Sequence, residues 1–547
     1  MKRLLPSWAL VFLLAQLCAQ AWAAEVVIPD AALKSAIWQA LGKTGPVGSL
    51  TEQDMLSLTN LTAFSRGVTS VEGLGAAHNL AWLDLFDNQL TSLTLPAGLA
   101  SLKTLYLGGN KLTSLILPAE LTSLTLLYLG PNQLTTLTLP PGLTNLTTLI
   151  LPENQLTSLT LPAGLTSLNY LDLYRNQLTS LTLPAGLTNL AYLNLRENHL
   201  TNFSFLSGLA SLTTLDLTYS QLTSLTLPAG LTSLKTLYLG GNKLTEFSFL
   251  SGLTSLTRLD LSDNQLTSLT LPAGLTNLIV LDLSANPLTD FLFLSELTSL
   301  TTLGLGQNPV TNFSFLSGLT NLTELNLSFN QLSDLSFLSG LIRLTSLNLS
   351  YNQLTSLTLP VGLTSLTALD LSANELTDSS FLSGFTSLTT LELGGNQLTS
   401  LTLPAGLTNL TYLGLHANPL TSLTLPAGLT SLGFLEVDVP PLRSLVLPEP
   451  LANGELAWTV AQLMSLGVSV SVYLPTLRLV ASPRTMGETF ELLLTGPLGT
   501  YRFQGTEDFS TWTDLNAVTL DANGSVTVTD PSANAHSHRF YRALRSN

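Results

Sequence analysis

The sequence predicts an α/β repeat solenoid, a stack of about 18 short repeats sharing one parallel β-sheet, followed by a small all-β, sandwich-like module. Three observations predict this. Asparagine recurs every 22 residues, at Asn88, Asn110, Asn132, Asn154, Asn176 and Asn198, then at Asn242, Asn264, Asn286, Asn308, Asn330, Asn352, Asn374, Asn396 and Asn418, with Ser220 as the interruption. Leucines hold fixed places around it: before Asn374 come Leu366, Leu369 and Leu371, and Leu376 follows. After about Pro475 the period is lost, and "TFELLLTG", "TYRFQGT" and "AVTLDANGSVTVTD" give short strand signals separated by turns. At 547 residues the chain exceeds what one compact core usually holds. A stacked array escapes that limit, because each repeat buries its apolar face only against its neighbours.

The first residues have the pattern of a secretory signal over 1–23. Lys2 and Arg3 form a basic start, Leu4 to Leu17 an apolar run, and Ala21-Trp22-Ala23 a small-residue cleavage site. A retained membrane helix is the alternative, but the run is short for a span. Cleavage after Ala23 removes Cys18, the one cysteine, so packing alone must stabilise the mature chain. It also removes two of the 20 basic residues, deepening a net charge that is already −15. Strong acidity argues against nucleic acid, whose phosphates need Lys and Arg, and against an anionic membrane surface. No second apolar span follows, so no stable membrane span is expected.

Next comes a helical cap over 24–57. "IPDAALKSAIWQALGK" reads as an amphipathic helix started near Pro29-Asp30, and "LTEQDMLSL" as a second short helix. Repeats occupy 58–450. Within each, Leu369 and Leu371 of the example lie two apart and so share one face of a strand, while Asp370 between them points to the other. Parallel neighbours need a connection that returns to the start, and the rest of the repeat supplies it in two forms. "LTSLTLPAGL", as at Leu90 to Leu99, alternates like a short strand that Pro96 stops. "FSFLSGL", as at Phe203 to Leu209, Phe247 to Leu253 and Phe313 to Leu319, offers phenylalanines as core packing. The ends deviate: Arg66 and Pro440 stand where asparagine is due. "ANGELAWTVAQLMSLG" reads as a closing helix in a C-terminal cap over 451–474, and 475–547 forms the β-rich module, with Asp521-Ala522-Asn523-Gly524 as a hairpin tip.

The spacing L-x-x-L-x-L-x-x-N-x-L resembles the leucine-rich repeat family, and the helical start resembles the N-terminal cap of exported bacterial members of the internalin-like type. The resemblance implies a curved array with the sheet on the concave side and each asparagine turned inward onto backbone of adjoining turns. A physical need agrees with it. Where the strand bends, N–H and C=O groups are freed in a dry interior, and a side-chain amide carries both donor and acceptor.

A ligand would meet the solvent-facing strand positions. The column between the paired leucines runs Asp84, Tyr106, Tyr128, Ile150, Asp172, Asn194, Asp216, Tyr238, Asp260, Asp282, Gly304, Asn326, Asn348, Asp370, Glu392, Gly414, Glu436. Eight of these seventeen are acidic and none is Lys or Arg, which favours a partner with a basic surface. One column over, Trp82, Tyr170, Tyr192 and Tyr412 add interface-type aromatics. The candidate binding residues are therefore Tyr106, Tyr128, Tyr170, Asp172, Tyr192, Asn194, Asp216, Tyr238, Asp260 and Asp282. Verbatim copies such as "TLYLGGNKLT", at Thr104 and again at Thr236, are the counter-argument, since Tyr106 and Tyr238 then read as duplicated filler. No catalytic group, cofactor site or metal site emerges. His536 and His538 lack a third ligand, and no serine sits in a nucleophile elbow. The expected function is non-enzymatic protein binding by an exported, secreted, periplasmic or cell-surface protein. Glycan or cell-wall binding and a passive envelope or matrix scaffold are the alternatives.

Overall fold

The structure is a computed structural model that describes residues 24–360, 362–473, 477–481, 490–497, 499–508, 510–520, 525–533 and 539–546. The signal-like segment 1–23, the tip Asp521–Gly524 and the pair His536 and His538 lie outside the described residues. The chain divides into two units, up to Asn286 and from Pro287.

The first unit opens with a short antiparallel pair, Glu25–Val26 against Leu50–Thr51. Between them lies the helix Ala31–Ala40, capped by Asp30, whose carboxylate accepts the Leu33 N–H at 2.8 Å. The other Asp30 oxygen accepts from Thr69 N–H, Thr69 Oγ1 and Ser70 N–H, tying this helix to the first turns of the array. These bonds outweigh burial and hold its pKa below the usual aspartate value. The helix Glu52–Ser57 follows, with a capping box between Thr51 and Asp54.

Three-residue strands then repeat in strict register. Among the described residues of this unit they run from Asn60–Thr62 through Trp82–Asp84 and Thr104–Tyr106 to Val280–Asp282, every pair parallel. The middle residue of each is a buried leucine, as at Leu105 and Leu171, and its neighbours face outward. The second unit continues the pattern from Thr302–Gly304 to Phe434–Glu436.

Each ladder asparagine is buried. Asn374 Nδ2 donates to Leu371 O in its own turn at 3.0 Å and to Leu349 O in the preceding turn at 3.0 Å, while Oδ1 accepts the Leu354 N–H at 3.1 Å. Its neighbours make the same set, so the amide serves both kinds of orphaned backbone group. Ser220 does less: its hydroxyl donates over 3.4 Å to Leu195 O and Thr218 O.

Except at Pro131, the residue just before each ladder asparagine, and before Ser220, lies in the left-handed region, as at Asp87 (φ 57°), Tyr219 (53°), Phe329 (53°), Tyr351 (53°) and Ala373 (52°). That conformation is uncommon for L-residues and worst for β-branched ones. In a chain rich in threonine, no β-branched residue occupies this position in any turn from Ser65 to Ala417. Ala373→Thr should therefore lower stability by about 1–2 kcal/mol, and Ala373→Gly should be neutral or gain up to about 1 kcal/mol. The midpoint of chemical denaturation reads both.

The return half takes two conformations. "LTSLTLP" segments pair as short parallel strands at Ser92–Thr94 with Ser114–Ile116, and at Ser158–Thr160 with Ser180–Thr182. "FSFLSGL" segments instead wind into 3-10 turns such as Ser204–Leu206, Ser248–Leu250 and Ser314–Gly318, with Phe203, Phe247 and Phe313 buried. Residues 224–226 have the strand-forming sequence yet form no strand, because 3-10 turns flank them on both sides and leave no partner to pair with.

At the end of the array, Ser444–Pro448 pairs with Ser422–Thr424 and Ser469–Tyr473. The expected closing helix is two, Glu449–Asn453 and Ala457–Ser465, broken at Gly454. Tyr473 is buried and donates to Leu425 O at 2.8 Å, and burial pushes its hydroxyl up to about 12. The C-terminal region has two three-stranded antiparallel sheets, Arg478–Ala481, Phe490–Thr495 and Ser525–Asp530 in one, Thr513–Leu520, Gly499–Thr506 and Phe540–Arg545 in the other. Leu492, Leu494, Tyr501, Phe503, Leu520 and Val528 form its core. The strands Thr513–Leu520 and Ser525–Asp530 belong to different sheets.

Candidate functional site

The outward residues of the long sheet form two columns, and register sets what meets what. All ten candidate residues lie in the first unit and are half-buried on this face. Tyr106 and Tyr128 are adjacent, 5.9 Å between ring centroids. Tyr170 and Tyr192 stack at 4.3 Å with planes 1° apart. The strand Thr148–Ile150 separates these two pairs. Asp172 and Asn194 face each other across paired strands, as do Asn194 and Asp216. Tyr238 stands between Asp216 and Asp260, and Asp282 follows.

The acidic column has a second job that sequence reasoning missed. Asp84, Asp172, Asp216, Asp260 and Asp282 each accept the backbone N–H two residues on, at 2.9–3.0 Å. Asn194, Asn326 and Asn348 do the same with Oδ1. This local bond satisfies backbone just past the strand end, and both Asp and Asn can make it, which explains why they interchange there. That interchange was the available signal. One oxygen of each aspartate is therefore committed to structure.

Burial, reinforced by neighbouring carboxylates, raises several of these groups. Asp172 sits above the usual aspartate range through burial and the charge of Asp216. Asp260 does so through burial and the charges of Asp282 and Asp216, against the bonds from Ser262. Burial, then the stacked Tyr170 hydroxyl and the nearby Asp172 and Asp216, raise the Tyr192 hydroxyl strongly. The linkage sign follows. A carboxylate whose pKa is raised on folding holds its proton more tightly in the folded state, so stability falls as pH climbs from the usual 3.8 through the raised value. Asp260→Asn keeps the local acceptor and removes the charge. Its melting temperature should exceed the parent's at pH 7 and match it near pH 4, as scanning calorimetry at the two pH values would show.

In the second unit, Tyr412 stacks on Phe434 at 5.1 Å, and its hydroxyl donates to Glu436 at 2.9 Å. Phe329 and Tyr351 stack at 3.9 Å, each about half exposed at 51% and 52%, on the left-handed positions before the ladder asparagines. Sequence reasoning missed this edge because it stopped at the strand columns and the next one, which it read as mostly Gly and Ser (Gly108, Gly240, Ser262 and Ser350) with backbone left accessible, so Phe64 and Phe86 in the first unit went unnoticed as well.

Among the described residues, no three His, Cys, Asp or Glu side chains gather as a metal cage, and no helix is long and apolar enough to cross a membrane.

The family model described as Leucine Rich repeats (2 copies) matches residues 78–119, 144–185, 211–252, 254–296, 298–340, 342–384 and 386–449, more than half of the chain. Internalin H of Listeria monocytogenes serovar 1/2a is 43% identical over 72 residues, a match spanning 13% of this chain and 13% of that relative. A Leptospira interrogans LRR protein of known structure is 30% identical with a TM-score of 0.51, covering 71% of this chain and 97% of that one. The functional domain of InlJ from Listeria monocytogenes is 22% identical with a TM-score of 0.45, covering 86% and 94%. The ladder, the register and the family-model match make the chain a member of the leucine-rich repeat family, with repeats similar to those of Internalin H and of the Leptospira protein.

Proposed function

We propose that this chain is an exported, non-enzymatic protein that binds another protein through the outer face of its parallel sheet. The observation that carries this is the chemistry of one face in the first unit. Paired tyrosines and a row of half-buried carboxylates align there, with no Lys or Arg in the central column. Aromatic side chains that are already packed lose little entropy on binding and serve well as interface anchors. The carboxylates give such a face complementarity to a basic partner. In this reading residues 1–23 direct export, and 24–57 and 451–474 close the ends of the array.

The test is a pull-down from envelope and secreted fractions with a glycan array alongside, using the parent and a variant with Tyr106, Tyr128, Tyr170, Tyr192 and Tyr238 changed to Ala. Capture of a protein by the parent and its loss in the folded variant is the expected result. Equal capture by both would move the site off this face. Retention of a glycan alone would replace protein by carbohydrate as the ligand class.

A further inference from the structure

Five rings from four successive turns of the first unit meet on the outer face. Phe64 stacks on Phe86 at 5.8 Å. Phe86 reaches Tyr128 at 5.9 Å, Tyr128 reaches Tyr106 at 5.9 Å, and Tyr106 reaches Trp82 at 5.2 Å. Phe64 is 52% exposed and Trp82 38%. Single exposed apolar residues are ordinary; a contiguous group marks an interaction surface.

The platform is built in. A Cβ on Gly108 would stand 2.4 Å from the Tyr128 ring and 2.1 Å from the Gly130 carbonyl. Only glycine there lets the Tyr128 ring lie flat over backbone. Gly109, with φ +66°, similarly brings backbone up to the Phe86 ring. Rings fixed before binding lose little freedom when a partner arrives.

The charge around the rings is negative. Asp84 lies between Trp82 and Phe86 in sequence, and one of its oxygens accepts the Phe86 N–H at 3.0 Å. Asp87 is exposed beside it. Glu153 and Asp172 are close enough to raise the Tyr128 hydroxyl, after burial. The nearby bases stand at the margins: Lys103 on one edge, and on the other Arg66 and Lys111, which donate to Gln39 and Gln89 at 2.8 Å. Elsewhere in the same unit the chain shows what such rings take up. The Arg196 guanidinium lies 5.6 Å from the Tyr174 ring centre and 5.1 Å from that of Tyr219.

We propose that the platform of Phe64, Phe86, Tyr128, Tyr106 and Trp82 anchors an arginine-bearing segment of a protein partner, its guanidinium groups stacking on the rings and pairing with Asp84 and Asp87. The inference rests on the protein-binding reading above. Arginine fits better than lysine because its planar group stacks on a ring and still offers two parallel donors to a carboxylate. A neutral sugar would also stack, but it gains nothing from the acidic surround.

The probe is a nine-residue peptide of alternating arginine and glycine, titrated calorimetrically into the full chain at physiological salt. Its lysine counterpart and cellohexaose serve as comparisons. The arginine peptide should bind more tightly than the lysine one, and cellohexaose should not bind. Phe86→Ala with Tyr106→Ala should weaken the arginine peptide by about tenfold or more. Asp84→Asn, which keeps the local backbone bond, should weaken it several-fold, and Phe329→Ala with Tyr351→Ala should leave it unchanged. Equal binding of both peptides, no loss in the ring variant, binding of cellohexaose instead, or no binding of the arginine peptide would each overturn the platform. If the ring variant still captures the pull-down partner through the sheet face, protein binding stands and this anchor alone fails.

Discussion

Asn264→Leu is expected to lower stability by about 3 kcal/mol or more. Asn264 Nδ2 donates to Leu239 O at 2.9 Å and to Leu261 O and Ser262 O at 3.1 Å, and Oδ1 accepts the Leu244 N–H at 3.2 Å. Leucine fills the space and satisfies none of these groups. Each buried orphan costs about 1–3 kcal/mol, so the loss exceeds that of a single hydrogen bond. The array stabilises itself turn by turn, so amide exchange should quicken first in the turns on either side of position 264. The converse change, Ser220→Asn, should gain about 1 kcal/mol by replacing two 3.4 Å hydroxyl contacts with the full amide set. An unchanged exchange pattern in the Asn264 variant would contradict the ladder's structural role.

Phe313→Ala should lower stability by about 3–5 kcal/mol. Phe313 is almost wholly buried in the return half of the second unit, 5.8 Å from the Phe315 ring and 5.6 Å from the Phe337 ring. Truncation opens a cavity that a 3-10 turn at Ser314–Gly318 cannot easily close, because its own residues are fixed by backbone bonds such as Leu316 N–H to Phe313 O. Phe315→Ala should lose much less, since Phe315 is only half-buried. Urea denaturation of both variants, followed by tyrosine fluorescence and by exchange at residues 300–340, separates the two positions.

Much of the fold was legible because a 22-residue period fixes strand, bend and return segment together. The leucine pair two apart gave the strand and its buried face, and the asparagine gave the bend. The 3-10 turns were not legible. A seven-residue "FSFLSGL" is too short to show a helical period, so it disclosed its buried phenylalanine but not its winding. The pairing of the C-terminal strands was hidden for another reason: some neighbours in sequence there, such as Thr513–Leu520 and Ser525–Asp530, belong to different sheets, and local turn chemistry cannot report that. At the site, the columns of Tyr106, Tyr128, Tyr170 and Tyr192 followed from strand alternation. The structural duty of Asp172 and Asp260 did not, because a side chain bonding two residues onward looks in sequence like a free surface acid. Phe64 escaped notice because the first turn carries Arg66 where asparagine is due, and so lies at the worn edge of the pattern.

The most direct test of partner binding at the sheet face is hydroxyl-radical footprinting of the full chain with and without its captured partner. Aromatic side chains report this label well, and the chain carries them on both sides of the array. Protection of Trp82, Tyr106, Tyr170 and Tyr192, with Phe205 and Phe249 on the return side unchanged, is the predicted result. Protection of Phe205 and Phe249 with the sheet-face rings still labelled would contradict it.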